Sequence, residues 1–113
     1  MGYWSGELFQ NDSTLDYVDG QADKLKKSLE SMEISYDNLT PAHIHNAAIF
    51  LRGIVSAANA SGSFIPGSCK ELAQAFENKA KLYVICENDK EFRQAVQREL
   101  LFVRENILVE LDA

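Results

Sequence analysis

The chain has little of what most chemistry needs. Among its 113 residues are two cysteines, Cys69 and Cys86, and two histidines, His43 and His45. The cysteines do not have zinc-ligand spacing. The histidines are two apart, so on a helix they point about 160° away from each other, whereas helical metal ligands stand three or four apart. There is no glycine-rich phosphate loop, nucleophile elbow or metalloprotease helix. No apolar run approaches the roughly 20 residues needed to span a bilayer. The first residues lack a basic start followed by an apolar stretch, so no secretion signal is visible. Met1-Gly2 is followed by Gly6 at the position where N-acylation wants Ser or Thr. With neither export signal nor cysteine framework, the Asn-x-Ser/Thr triplets at Asn11, Asn38 and Asn59 read as chance matches or caps. The expectation is one cytoplasmic domain over residues 1–113, with reduced thiols, no metal and no cofactor.

Positive charge is scarce too. Eleven Lys and Arg face seventeen Asp and Glu, a net charge of −6. That balance disfavours nucleic-acid backbones and anionic membranes as partners and suits basic proteins. The acid is concentrated at one end. Residues 1–40 hold eight acids and three lysines, whereas residues 41–113 hold nine acids and eight bases.

What the chain does have is helical periodicity, in four segments, and nowhere a sustained strand alternation. Leu15, Val18, Ala22, Leu25, Leu29 and Met32 repeat at threes and fours, predicting a helix from about Asp12 to Met32, capped by Asn11, Asp12 or Ser13. Thr40-Pro41 opens a second, to about Ala60, with Thr40 as the expected cap and Pro41 in the first helical position. It is apolar on most sides, with Arg52 its one full charge, so it is expected to be the most buried helix. Gly53 there suggests close approach of a neighbour. Ser68-Cys69-Lys70-Glu71 reads as a capping box for a third helix carrying Leu72, Phe76, Ala80, Tyr83 and Val84. Asn88-Asp89 ends it and caps a fourth, from about Lys90 to Leu111, with its seam at Phe92, Val96, Leu100, Val103, Ile107 and Leu111. If Cys69 and Cys86 share the third helix they lie about 25 Å apart at 1.5 Å per residue, too far for a disulfide.

The first dozen residues look like a hook. Trp4, Leu8 and Phe9 are too apolar for a free tail, and Gly2 and Gly6 admit unusual backbone angles. The fold class expected is all-α: an irregular bundle of four main helices, one end covered by the hook, with Trp4 buried. Gly-x-Trp-x-Gly-x-x-Phe-x-Asn-Asp, built from Gly2, Trp4, Gly6, Phe9, Asn11 and Asp12 and followed by Asp16, resembles the opening of the bacterial domain of unknown function numbered 4259. Ser5 departs from the family's usual Gly. The resemblance covers about the first 20 residues. It implies a small, helical, bacterial cytoplasmic domain, and it carries no activity to transfer.

Function must then be sought in the charge pattern. Asp12, Asp16, Asp19 and Asp23 step by four, three and four, which places them in one stripe on a helix. Three readings stand: a solvated face, favoured by the helix dipole only in its first turn; a divalent-cation site; or a face that docks on a basic protein. The docking reading leads to an immunity-type inhibitor that masks a basic toxin, a nuclease among the candidates, and that is a monomer or small oligomer. Its candidate residues are Asp16, Asp19 and Asp23, with Tyr36, Asp37, Phe64 and Ile65 as neighbouring anchors. Phe64 and Ile65 have a competing reading, as a lid folded onto the core. The alternatives are an enzyme pairing His43 or His45 with Cys69 or Cys86, and an oligomeric helical module.

Overall fold

A computed structural model describes residues 12–108. It contains four helices in that span: α1 (Asp12–Ser31), α2 (Ala42–Ser61), α3 (Gly67–Cys86) and α4 (Lys90–Asn106). No strand occurs among the described residues; a single antiparallel bridge joins Ser35 and Asn38 in the α1–α2 connection. The all-α bundle expected from the periodicity is the architecture found. The hook, and with it Trp4, lies outside the described residues, as do Glu110, Leu111 and Asp112.

Ion pairs and hydrogen bonds give the directions. Asp19 meets Ser68, Lys26 meets Glu71, and the Met32 carbonyl meets Lys79, so α1 and α3 run parallel. Glu77 meets Arg104 while Glu87 meets Arg93, so α3 and α4 run antiparallel. α2 and α3 each pack against all three other helices, and α1 and α4 do not touch one another among the described residues. The bundle therefore has α2 and α3 at its centre, with α1 and α4 on opposite flanks.

The core corrects one expectation. α3 buries eight residues, with Leu72, Phe76, Ala80 and Tyr83 fully enclosed, against seven in α2. α2 is not the most enclosed helix, because its outer side, with Ile49, Arg52, Gly53 and Ser56, is open to solvent. Gly53 meets nothing within 4 Å of where a Cβ would stand, so no neighbour approaches it. Gly53→Ala should therefore stabilise the fold by about 0.5–1 kcal/mol, read as a raised urea midpoint at unchanged slope, because alanine loses less backbone entropy in a helix.

The helix ends show where tertiary contacts override local signals. The Ser68–Glu71 capping box does not form. The Ser68 hydroxyl instead donates to Asp19, and Glu71 accepts from Lys26 at 3.1 Å, so both side chains tie α3 to α1. α3 starts behind Pro66, whose carbonyl accepts from the Cys69 and Lys70 amides. α2 starts one residue later than expected: its cap is Pro41, with no side-chain capping bond, and Thr40 is outside. Its C-terminus closes on Gly62 at φ 71°, with the Gly62 and Ser63 amides both donating to the Ala58 carbonyl. The left-handed angle explains the glycine there. α4 begins as expected, with Asp89 accepting from the Phe92 amide at 3.1 Å, and it ends at Asn106.

A buried carboxylate pins the α3–α4 corner. Glu87 is 8 % exposed; it accepts from the Tyr83 hydroxyl at 2.7 Å and from the Asp89 amide at 2.9 Å, while Arg93 donates to its carbonyl. Burial, and then the bond to Glu87, hold the Tyr83 phenol well above its ordinary pKa.

Candidate docking face on α1

α1 buries Val18, Ala22 and Leu29, half-buries Leu15 and Leu25, with Met32 half-buried just beyond its end, and leaves its other side to solvent. Asp12, Asp16, Asp19 and Asp23 are all exposed, in one row along the edge nearest α3. They are not uniformly unneutralised. Asp19 accepts from the Ser68 hydroxyl at the start of α3, where the helix dipole favours negative charge. Asp23 pairs with Lys27 at 3.0 Å, one turn on, and both side chains are exposed. An exposed pair of this kind is worth about 0.3–0.5 kcal/mol, so a partner's cation displaces Lys27 cheaply. Asp16 has no ion pair or hydrogen bond among the described residues. Lys26, reaching across to Glu71, is held above its ordinary pKa chiefly by that hydrogen bond.

The expected anchors divide into two places. Phe64 stands 58 % exposed on the loop leading into α3, at the end of the bundle where α1 begins. Ile65, beside it, is 8 % exposed and belongs to the core. It is therefore removed from the candidate face: the chain turns there to enter α3, and the second of the two apolar residues packs inward. Tyr36 and Asp37 are exposed at the tip of the tight turn closed by reciprocal Ser35 and Asn38 backbone bonds and braced by Asn38 on the Glu33 carbonyl. That turn follows the far end of α1, about 25 Å from Asp16 at the helical rise per residue. A partner of ordinary footprint centred on Asp16 reaches Phe64 more readily than Tyr36.

One residue was missed. Tyr17 is 67 % exposed, directly after Asp16. Its phase gives it away: it falls outside the apolar repeat of α1, and an aromatic ring off the core stripe is an interface signal.

The bundle separates one of the two cysteines from the histidines. Cys69 is fully buried in the first turn of α3, its thiol pushed up to about 11 by burial. It lies at the opposite end of the bundle from His43 and His45, which open the antiparallel α2. The distance is most of a 20-residue helix, on the order of 25 Å. A protonated, enclosed thiol is a poor nucleophile. Iodoacetamide at mildly alkaline pH should leave Cys69 unmodified in the native protein and alkylate it in urea, by mass spectrometry of the digest. Cys86 is buried and free at the other end of α3. His45 lines a concavity of about 270 Å³ between α2 and α4 with Ala48, Ile49, Ala95 and Arg98. Beside it Arg52 is clamped by both oxygens of Glu99 and lies 4.1 Å from the centre of the Phe102 ring. Neither cysteine lines that concavity. Among the described residues no three His, Cys, Asp or Glu side chains gather closely enough to hold a metal ion. No helix among them is long and apolar enough to cross a membrane.

Comparison with protein-family models, with characterised proteins and with solved structures finds no match.

Proposed function

We propose that this chain is a non-enzymatic, acidic protein-binding domain whose α1 face docks on a basic protein, as an immunity-type inhibitor docks on a toxin. The observation that carries the reading is Asp16. It is exposed, has no internal partner among the described residues, and stands between Asp12 and Asp19 with the Phe64 loop at the same end of the bundle. An exposed aromatic such as Phe64 at the same end as unspent negative charge combines an apolar anchor with electrostatic steering. The wider charge supports it. From residue 12 to residue 40 there are seven acids and three lysines, so this segment carries net negative charge that attracts cations. A toxin that cleaves nucleic acid presents a cationic cleft for phosphate, and an acidic helix is complementary to it. A bacterial cytoplasmic setting, which the N-terminal resemblance implies, belongs to the proposal.

The test is to express the proteins encoded beside this gene and titrate each into the purified chain by calorimetry. A one-to-one complex with a basic neighbour, weakening steeply as salt rises, is the expected result. Failure of every basic neighbour to bind defeats the reading.

A further inference from the structure

Among the described residues, α4 carries a second face without a partner, on the flank opposite α1. Gln94, Arg98, Leu101 and Glu105 recur at four, three and four, the spacing of a coiled-coil seam, on the side away from the buried Val96, Leu100 and Val103. All four are exposed, Leu101 to 55 %. Of the four arginines, Arg52 is held by Glu99, Arg93 by the Glu87 carbonyl and Arg104 by Glu77. Arg98 has no such partner among the described residues, and neither has Glu105. Alongside the seam runs an open groove of about 520 Å³ between α3 and α4, with Val84, Ile85, Leu100 and Leu101 in its lining. Ile85 is 68 % exposed. Ile85 and Leu101, exposed on neighbouring helices at this groove, offer apolar surface that a partner can bury.

The pattern is its own complement. Arg98 and Glu105 lie equally far along the helix from the point between Leu101 and Phe102. Two copies of α4 laid antiparallel about that point put Arg98 of each against Glu105 of the other. The same operation brings Leu101 of each copy over the other's α3–α4 groove. We propose that α4 is a two-fold dimerisation face for a second copy of this chain. A two-fold contact of one patch with itself closes at two subunits. Exposed ion pairs contribute little, so burial of Leu101 and Ile85 drives association and the two charge pairs set its register. The acidic α1 helices stay on the outer flanks, where a Debye length of about 8 Å at physiological salt screens their repulsion. The inference is independent of the docking reading, since the α1 face remains free.

Sedimentation velocity and light scattering of the full chain over a wide concentration range decide it. The expected mass rises from 12.7 kDa towards twice that value. Leu101→Glu should raise the dissociation constant roughly 30-fold or more, with an unchanged circular dichroism spectrum because the side chain is exposed. Arg98→Glu or Glu105→Arg alone should weaken the dimer by about tenfold, by setting like charges against each other twice. The double variant Arg98→Glu/Glu105→Arg should return to within about threefold of wild type. A chain that stays at 12.7 kDa throughout overturns the proposal. So does a dimer indifferent to Leu101→Glu, or one that the double exchange fails to restore.

Discussion

Phe76→Ala should cost the fold about 3–5 kcal/mol and lower the melting temperature by on the order of 15 °C. Phe76 is fully buried on α3, one of the two central helices and the one that buries more residues. Small side chains flank it along α3, where Ala73 and Ala80 stand about one turn to either side and are themselves fully buried. Alanines have no rotamers with which to swing into a void, so the cavity left by the ring stays open and its full penalty is felt. Against a total stability of about 5–15 kcal/mol for a domain of this kind, the variant sits near the edge of folding. Tyr17→Ala is the comparison. It removes a ring of similar size from an exposed position and should change stability by less than about 0.5 kcal/mol. Equal urea midpoints for the two variants would show that α3 is not the centre of the core.

The second large effect concerns recognition. Asp16→Lys/Asp23→Lys should weaken binding to a basic partner by about 100-fold, most of it in the association rate, and flatten its salt dependence. The substitutions change the face by four charge units without touching the core, since both side chains are exposed and Asp23 leaves behind only a surface pair with Lys27. Asp19 is left alone on purpose. Its acceptance from Ser68 braces α1 against α3, so its removal mixes folding with binding.

The helices were legible because apolar residues recur at threes and fours over 17 to 20 positions, a signal no other structure produces. Which helix stands at the centre was not legible. α2 looked the more apolar, but hydrophobic content does not reveal that Ile49 faces solvent at 71 % while the smaller α3 residues are enclosed. The capping box at Ser68 and Glu71 was written in the sequence and still did not form, because Asp19 and Lys26 on α1 offered both side chains partners far away along the chain. The aspartate row was correctly placed on one exposed edge, yet Asp19 and Asp23 turned out to have internal partners that spacing alone does not disclose. Phe64 and Ile65 were one signal in the sequence; the turn into α3 separates them, one outward and one inward. Glu87 gave no sign of its burial, since an acid between Cys86 and Asn88 looks like any helix terminus until the Tyr83 hydroxyl is seen beneath it.

The claim on which the functional account rests is that the free charge of α1 faces a cationic protein. Stopped-flow association rates with the basic partner, measured for wild type and for Asp16→Lys/Asp23→Lys across a series of salt concentrations, address it directly. The account predicts a wild-type rate that falls steeply with salt and a variant rate that is slow and nearly flat, the two converging at high ionic strength. Superimposable curves for the two proteins would contradict it.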